Sequence, residues 1–280
     1  MHAPGPGQRT PFGASAGPRL EVVFMTRLLV ASFLLALVPV LLAFSIRRMV
    51  VRLLEGAPRS SRPHAASGWL FPAAVLLGGW GGAVFGVILA PPLARLFEGA
   101  GEVAHTLWSS AFVAPMLEEL GKALLLLGLV LGRVLRNRLD GVLLGLGCGA
   151  GFAFVEALVA YVQALAWGSV DSWTGSVLLR LPFGTLIHLT STAFVGMSLG
   201  WASTQRSGFR WAVAVLGSIP AGMVVHGLWN GLMVLTSRFT APVFGVLALL
   251  VSVGAVLVLV RSIRTDVQVA TRQGIEARRE

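Results

Sequence analysis

Inside long apolar runs of this chain stand Glu118, Glu119 and Lys122 (AFVAPMLEELGKALLLL), Glu156 (GFAFVEALVAY), His188 (GTLIHLTSTAFVG), and His226 with Asn230 (MVVHGLWNGLM). These residue types meet the needs of hydrolysis: a carboxylate to take a proton from water and return it to the leaving group, and N–H donors for an oxyanion. Two carboxylates side by side at low dielectric resist double ionisation, and Lys122, one helical turn from Glu118, can hold one of them charged. Glu118 or Glu119 is then the base and later the acid, the other being oriented by Lys122. Two mechanisms are open. In one, Glu156, His188 and His226 hold a metal such as zinc with a place left for water, and the Glu118/Glu119 pair serves as base. In the other, the glutamates activate water without metal, and the histidines and Asn230 stabilise the oxyanion.

The elements that must position these residues are membrane helices. Of 280 residues, 55% are hydrophobic and 12% charged, against about 25% charged in a soluble domain, so a soluble globular enzyme is excluded. A hydrocarbon core about 30 Å thick needs about 20 apolar helical residues. Seven stretches qualify: 24–46, 68–90, 107–131, 141–165, 177–201, 211–235 and 241–260. The expected fold is an all-α polytopic bundle of about seven transmembrane helices over 24–260, with a disordered Pro- and Gly-rich tail at 1–23 and a basic tail at 261–280. Met25 opens a stretch that reads as a membrane start by itself. At a rise of about 1.5 Å per residue, Glu118, Glu119, Glu156, His188 and His226 all fall within about 5 Å of the midplane. An ionisable group there costs about 2.5 to 3.5 kcal/mol to insert. Interhelical hydrogen bonds worth about 0.6 kcal/mol each do not explain three Glu, one Lys and two His at one depth. The i,i+4 pairs Glu118/Lys122, His188/Thr192 and His226/Asn230 turn polar stripes toward one site.

Arginines orient the bundle. The loops after the first, third and fifth spans and the C-terminal tail carry 15 of them, against 2 (Arg95 and Arg238) in the alternate loops. Cytoplasmic loops accumulate Lys and Arg, so the N-terminus is expected outside and the C-terminus in the cytoplasm. The net charge of +10 is thereby assigned to topology and the lipid bilayer, with no nucleic-acid partner. Arg180, near the outer end of the fifth span, reads as a side chain snorkelling to the interface, with a clamp on a substrate carboxylate as the alternative.

Other signals reduce to packing. GLGCGAG lies in an apolar helix with no preceding strand, so Gly141, Gly145 and Gly149 form a small-residue contact face. GMSLG offers no strand-turn-helix elbow, which makes Ser198 a helix-contact serine. The single cysteine, Cys148, excludes a disulfide within the chain and a thiolate zinc cage. The aspartates Asp140, Asp171 and Asp266 lie at span ends, which rules out an aspartyl dyad in the membrane centre. Pro115 removes a backbone donor beside Glu118 and Glu119, a place where the helix can open to water.

The four stretches, in this order, resemble the motifs of the PrsW-type intramembrane proteases. EELGK (118–122) is similar to EExxK, GFAFVE (151–156) contains FxxxE through Phe152 and Glu156, and His188 and HGLWN (226–230) correspond to the third and fourth motifs. The related CAAX prenyl-protein proteases have EExxxR and FxxxH instead. The resemblance covers residues 107–235. It implies an intramembrane endopeptidase, customarily described as a metalloprotease, acting on membrane-embedded or membrane-adjacent protein or peptide substrates, with the chain an integral protein of a bacterial plasma membrane. The alternatives from other classes are a proton-coupled transporter and a catalytically silent membrane scaffold. The orientation is tested with topology reporters: one fused after Glu280 is expected to read cytoplasm and one inserted at Ser169 to read outside, and the reverse pattern means a miscounted span.

Overall fold

The computed structural model describes residues 18–55, 57, 62–64 and 68–276, and these are mostly helical, with short connections and no strand among them. Helices α1 (Pro18–Ala36) and α2 (Val38–Leu53) form one rod, interrupted at Leu37 because Pro39 carries no N–H for the helical ladder. The expected N-terminal tail lies outside the described residues as far as residue 17, and its remainder already belongs to α1. Next come α3 (Leu70–Ala94), the short α4 (Glu102–Leu107) and α5 (Ala114–Leu131), the last two joined by a π-helical turn, Trp108–Val113. Helix α6 (Arg138–Trp167) is capped by Asn137, whose side chain accepts from the Asp140 N–H at 2.8 Å. Helix α7 (Val170–Leu179), capped by Ser169, leads through a second π-helical turn, Arg180–Gly184, into α8 (Thr185–Ala202). Helices α9 (Gly208–Phe239) and α10 (Pro242–Glu276) complete the order, and α10 carries most of the expected basic tail as unbroken helix.

Six helical stretches are long and apolar enough to cross a membrane: Val22–Leu53, Leu70–Phe97, Arg138–Trp167, Val170–Ala202, Gly208–Phe239 and Pro242–Arg272. The expected span 107–131 is helical as well, but Glu118, Glu119 and Lys122 all fall within α5 and lower its apolar character. That helix holds three of the candidate residues singled out in the sequence.

Helix α6 is the axis of the molecule, buried continuously from Leu139 to Ala153. It lies between α3 and α8, with α9 beyond α8, and α5 closes the group against α3, α8 and α9. Lipid tails are as apolar as leucine, so no hydrophobic force drives helices together in a bilayer, and close backbone contact takes its place. Glycine supplies that contact. A Cβ on Gly141 would collide with the carbonyl of Gly196, one on Gly145 with Thr192, and one on Gly149 with the carbonyl of His188 itself. The opposite face of α6 meets α3 in the same way, Gly151 against Val75 and Gly79 against Gly151. The contact face read from GLGCGAG thus sets the height and separation of α8, and with it the position of His188. Cys148 is fully buried under Gly78 of α3, a packing residue as expected.

The α6–α8 contact makes a stability prediction. Gly141→Leu and Gly145→Leu each force backbone apart and are expected to cost at least about 3 kcal/mol, the upper end of overpacking. Gly217→Leu on α9, where nothing lies within 4 Å, should be near neutral. Thermal unfolding of purified protein in detergent measures all three, and equal midpoints would refute the close-contact account.

Candidate functional site

Glu119 and Lys122 are both wholly buried, and Lys122 Nζ donates to Glu119 Oε1 at 2.7 Å. Such a pair is stable in a low-dielectric interior only when the remaining hydrogen-bonding capacity is also met. The neighbours meet it. Ser191 Oγ donates to Glu119 Oε1 at 3.0 Å and Thr192 Oγ1 to Oε2 at 3.1 Å, both from α8, while His226 Nδ1 of α9 lies 3.2 Å from Oε1. On its other side Lys122 Nζ lies 4.0 Å from the centre of the Phe152 ring of α6, a cation–π contact. Gly82 of α3 leaves room for both, since a Cβ there would strike the Phe152 ring. One carboxylate therefore ties α5 to α8 and α9, and its partner lysine ties α5 to α6.

Glu118 points elsewhere. With Glu156, His188, His226 and Asn230 it lines a cavity of about 410 Å³, which Glu119 and Lys122 do not reach. Its Oε2 is 3.7 Å from His226 Nε2 and, though buried, has no hydrogen-bond partner among the described residues. The two imidazoles meet edge to face, with centroids 4.7 Å apart, and Phe152 packs against His188 at 4.9 Å. Each ring is held through one nitrogen by a carboxylate: His188 Nε2 to Glu156 Oε2 at 2.7 Å, and His226 Nδ1 to Glu119. In a neutral imidazole one nitrogen donates and the other accepts. With these two donating, His188 Nδ1, which has no partner among the described residues, and His226 Nε2 present their lone pairs.

Glu118, His188 and His226 are a group able to hold a metal ion, their ligand atoms all within 4.8 Å of one another. The donor chemistry fits, because two imidazoles and a carboxylate, each imidazole oriented from behind by a second carboxylate, are a usual zinc environment. The sequence-based set had Glu156 where this group has Glu118. Glu156 stands behind His188, its other oxygen 2.8 Å from Arg180 Nη1. Arg180, expected to snorkel outward, pairs instead with Glu156, both side chains lining the same cavity.

Both π-helical turns border the cavity, Ser109 and Ser110 coming from the first and Arg180 and Gly184 from the second. Each has a proline in or just beyond it, Pro182 within the second and Pro115 after the first. A missing N–H breaks the i→i−4 ladder and favours a widened turn. The opening expected at Pro115 thus takes the form of a π turn one position upstream of α5. Asn230 Nδ2 donates to the Ser110 carbonyl at 2.9 Å, so its amide also braces that turn. Ser191 was not legible as a site feature, and for Arg180 the sequence did not show that its partner is Glu156. The only signal for Ser191 was the cluster of three hydroxyls, Thr190 to Thr192, in mid-span. Ser198 bonds to the Ala214 carbonyl at 2.9 Å, a helix contact as expected.

A family profile described as PrsW family intramembrane metalloprotease matches residues 66–259. No curated protein matches the chain, and no solved structure does.

The buried pair predicts strong non-additivity. Lys122→Met leaves Glu119 as an uncompensated buried charge and should cost about 3 to 5 kcal/mol. Adding Glu119→Gln removes that charge and should restore a large part of the loss. Denaturation of the two single variants and the double variant forms the cycle, and simple additivity would refute the pairing.

Proposed function

The chain belongs to the PrsW family of intramembrane metalloproteases, and we propose that it hydrolyses peptide bonds of membrane-embedded or membrane-adjacent proteins at the cavity lined by Glu118, His188 and His226. The observation that carries this reading is the division between the two glutamates. Glu119 is saturated with hydrogen bonds, whereas Glu118 faces the cavity with an oxygen that has no partner among the described residues. Glu118 takes a proton from the attacking water and hands it to the leaving amine. Glu119 and Lys122 are positioning residues, fixing the tautomer and angle of His226. Glu156 does the same for His188, and Arg180 steadies Glu156. Asn230 holds the first π turn at the cavity edge, and one N–H of its amide remains for a substrate carbonyl.

Glu118, His188 and His226 would also hold a catalytic zinc. When bound, such an ion polarises the scissile carbonyl and makes its water a stronger nucleophile. With the ion bound, Glu118 would be a ligand and not the free base, whereas without metal it handles the proton; in both cases carboxylates orient the two rings. For topology, we infer that α4 and α5 cross the bilayer together with the six apolar stretches, for seven crossings in all, with the N-terminus outside and the C-terminus in the cytoplasm of a bacterial plasma membrane. This count keeps the arginine-rich loops on one face. No observation favours a transporter.

Two expectations follow for purified protein acting on a library of membrane peptides, with products read by mass spectrometry. Glu118→Gln should lower cleavage at least about a hundredfold at an almost unchanged thermal midpoint, whereas Glu119→Gln should lower both. Active protein should hold about one equivalent of zinc, lose activity to a strong chelator and regain it on zinc addition, with less metal retained by His188→Ala or His226→Ala. Full activity in metal-free protein would eliminate zinc, and full activity in Glu118→Gln would eliminate the assigned base.

A further inference from the structure

Away from this cavity, on the other side of α8, a cleft of about 480 Å³ runs between α2, α8 and α10. Its walls are apolar along almost their whole length, with Leu42 and Ile46 from α2, Leu189 from α8 and Leu259 and Val260 from α10. Apart from Thr190, whose hydroxyl donates to the Leu186 carbonyl, its polar lining residues are Arg264 and Gln268, toward the C-terminal end of α10. A second hollow adjoins that end, sharing Met49 and Leu53 with the cleft and adding Arg48 and Arg52. No acidic side chain lines either hollow, and Arg48, Arg52 and Arg264 form no ion pair among the described residues. The cleft thus combines an apolar trough with three uncompensated cations at one mouth.

Its length identifies the occupant. From Leu42 to Leu53 the α2 wall rises about 16 Å, close to half of a hydrocarbon core about 30 Å thick. The depth is that of one leaflet, and the cationic mouth is at the end of α2 that leads into the arginine-rich loop. We propose that this cleft is a binding site for one anionic phospholipid, an acyl chain lying along Leu42, Leu189 and Val260 and the headgroup phosphate held by Arg264 with Arg48 or Arg52. The attraction of a surface cation for anionic lipid and the burial of apolar chain against the cleft walls act together here. The occupied cleft also backs α8 at Leu189 and Thr190, next to His188 on the face behind the protease cavity and immediately before Ser191 and Thr192.

The full chain, purified in mild detergent and offered equal amounts of phosphatidylglycerol and phosphatidylcholine with identical chains, tests this by native mass spectrometry. One phosphatidylglycerol per protein should be retained, at least about tenfold in preference. Arg264→Gln combined with Arg48→Gln should weaken that retention at least about fivefold, about the worth of one surface arginine. Val260→Trp, which fills the trough, should weaken it as well, whereas Leu216→Trp on the exposed face of α9 should not. Circular dichroism confirms that each variant keeps its helix content. Equal retention of both lipids, phosphatidylglycerol retention untouched by both cleft variants, or a bound peptide in place of lipid would each overturn the proposal. Binding is read without reference to cleavage, so this result and that for the protease reading stand or fall separately.

Discussion

The arrangement of this protein depends on how a buried carboxylate is kept charged inside a membrane. Glu119 has no exposed surface, and its stabilisation comes from four side chains on three helices: Lys122 of α5, Ser191 and Thr192 of α8, and His226 of α9. Each of these contacts is strengthened by the low dielectric of a fully buried position, and each loss is costly for the same reason. The glycine face of α6 fits into the same logic. By bringing the α8 backbone into direct contact at Gly141, Gly145 and Gly149, it fixes the register in which Ser191 and Thr192 arrive at Glu119. Apolar packing alone tolerates small sliding of one helix on another, whereas hydrogen bonds to a single carboxylate do not.

Around this fixed point the site separates into parts with different tasks. The tandem glutamates, indistinguishable by type, are made distinct by where the helix turns them: Glu119 into the protein and Glu118 into the cavity. The two histidines are each held through one nitrogen by a carboxylate, one by Glu119 and the other by Glu156, and a ligand atom of each lies within 4.8 Å of one of Glu118. Rigid walls thereby meet a border of widened backbone at Trp108–Val113 and Arg180–Gly184. In a helix, the backbone is normally inaccessible to an incoming peptide because every carbonyl is used. Widened turns at the rim are where that rule is relaxed.

Much of this was legible in the sequence. The apolar runs gave the helices because backbone in lipid must satisfy its own hydrogen bonds, and the cost of charge at mid-bilayer made Glu118, Glu119, Lys122, Glu156, His188 and His226 stand out. The small-residue spacing of α6 was readable for the same reason. What could not be read was direction. Nothing in the order Glu118-Glu119 says which faces the cavity, since that depends on the rotation of α5 against α8. The pairing of Arg180 depends on the height of Glu156 on a different helix, and the role of Ser191 depends on a carboxylate 72 positions away. The π turns depend on proline together with tertiary packing. The charges that mark α5 as chemical also lower its apolar character, so the feature that reveals the site obscures the span.

Lys122 has a consequence for how the protein can be handled. It is the only lysine among 280 residues, and it has no solvent exposure. The folded chain therefore offers no side-chain amine to its surroundings, and acylating reagents, aldehyde fixatives and lysine-directed cross-linkers have no side chain to attack while α5 stays docked. Acquisition of an amine label at position 122 would report that the core has come apart, giving a covalent record of opening events too rare or too brief to see by other means.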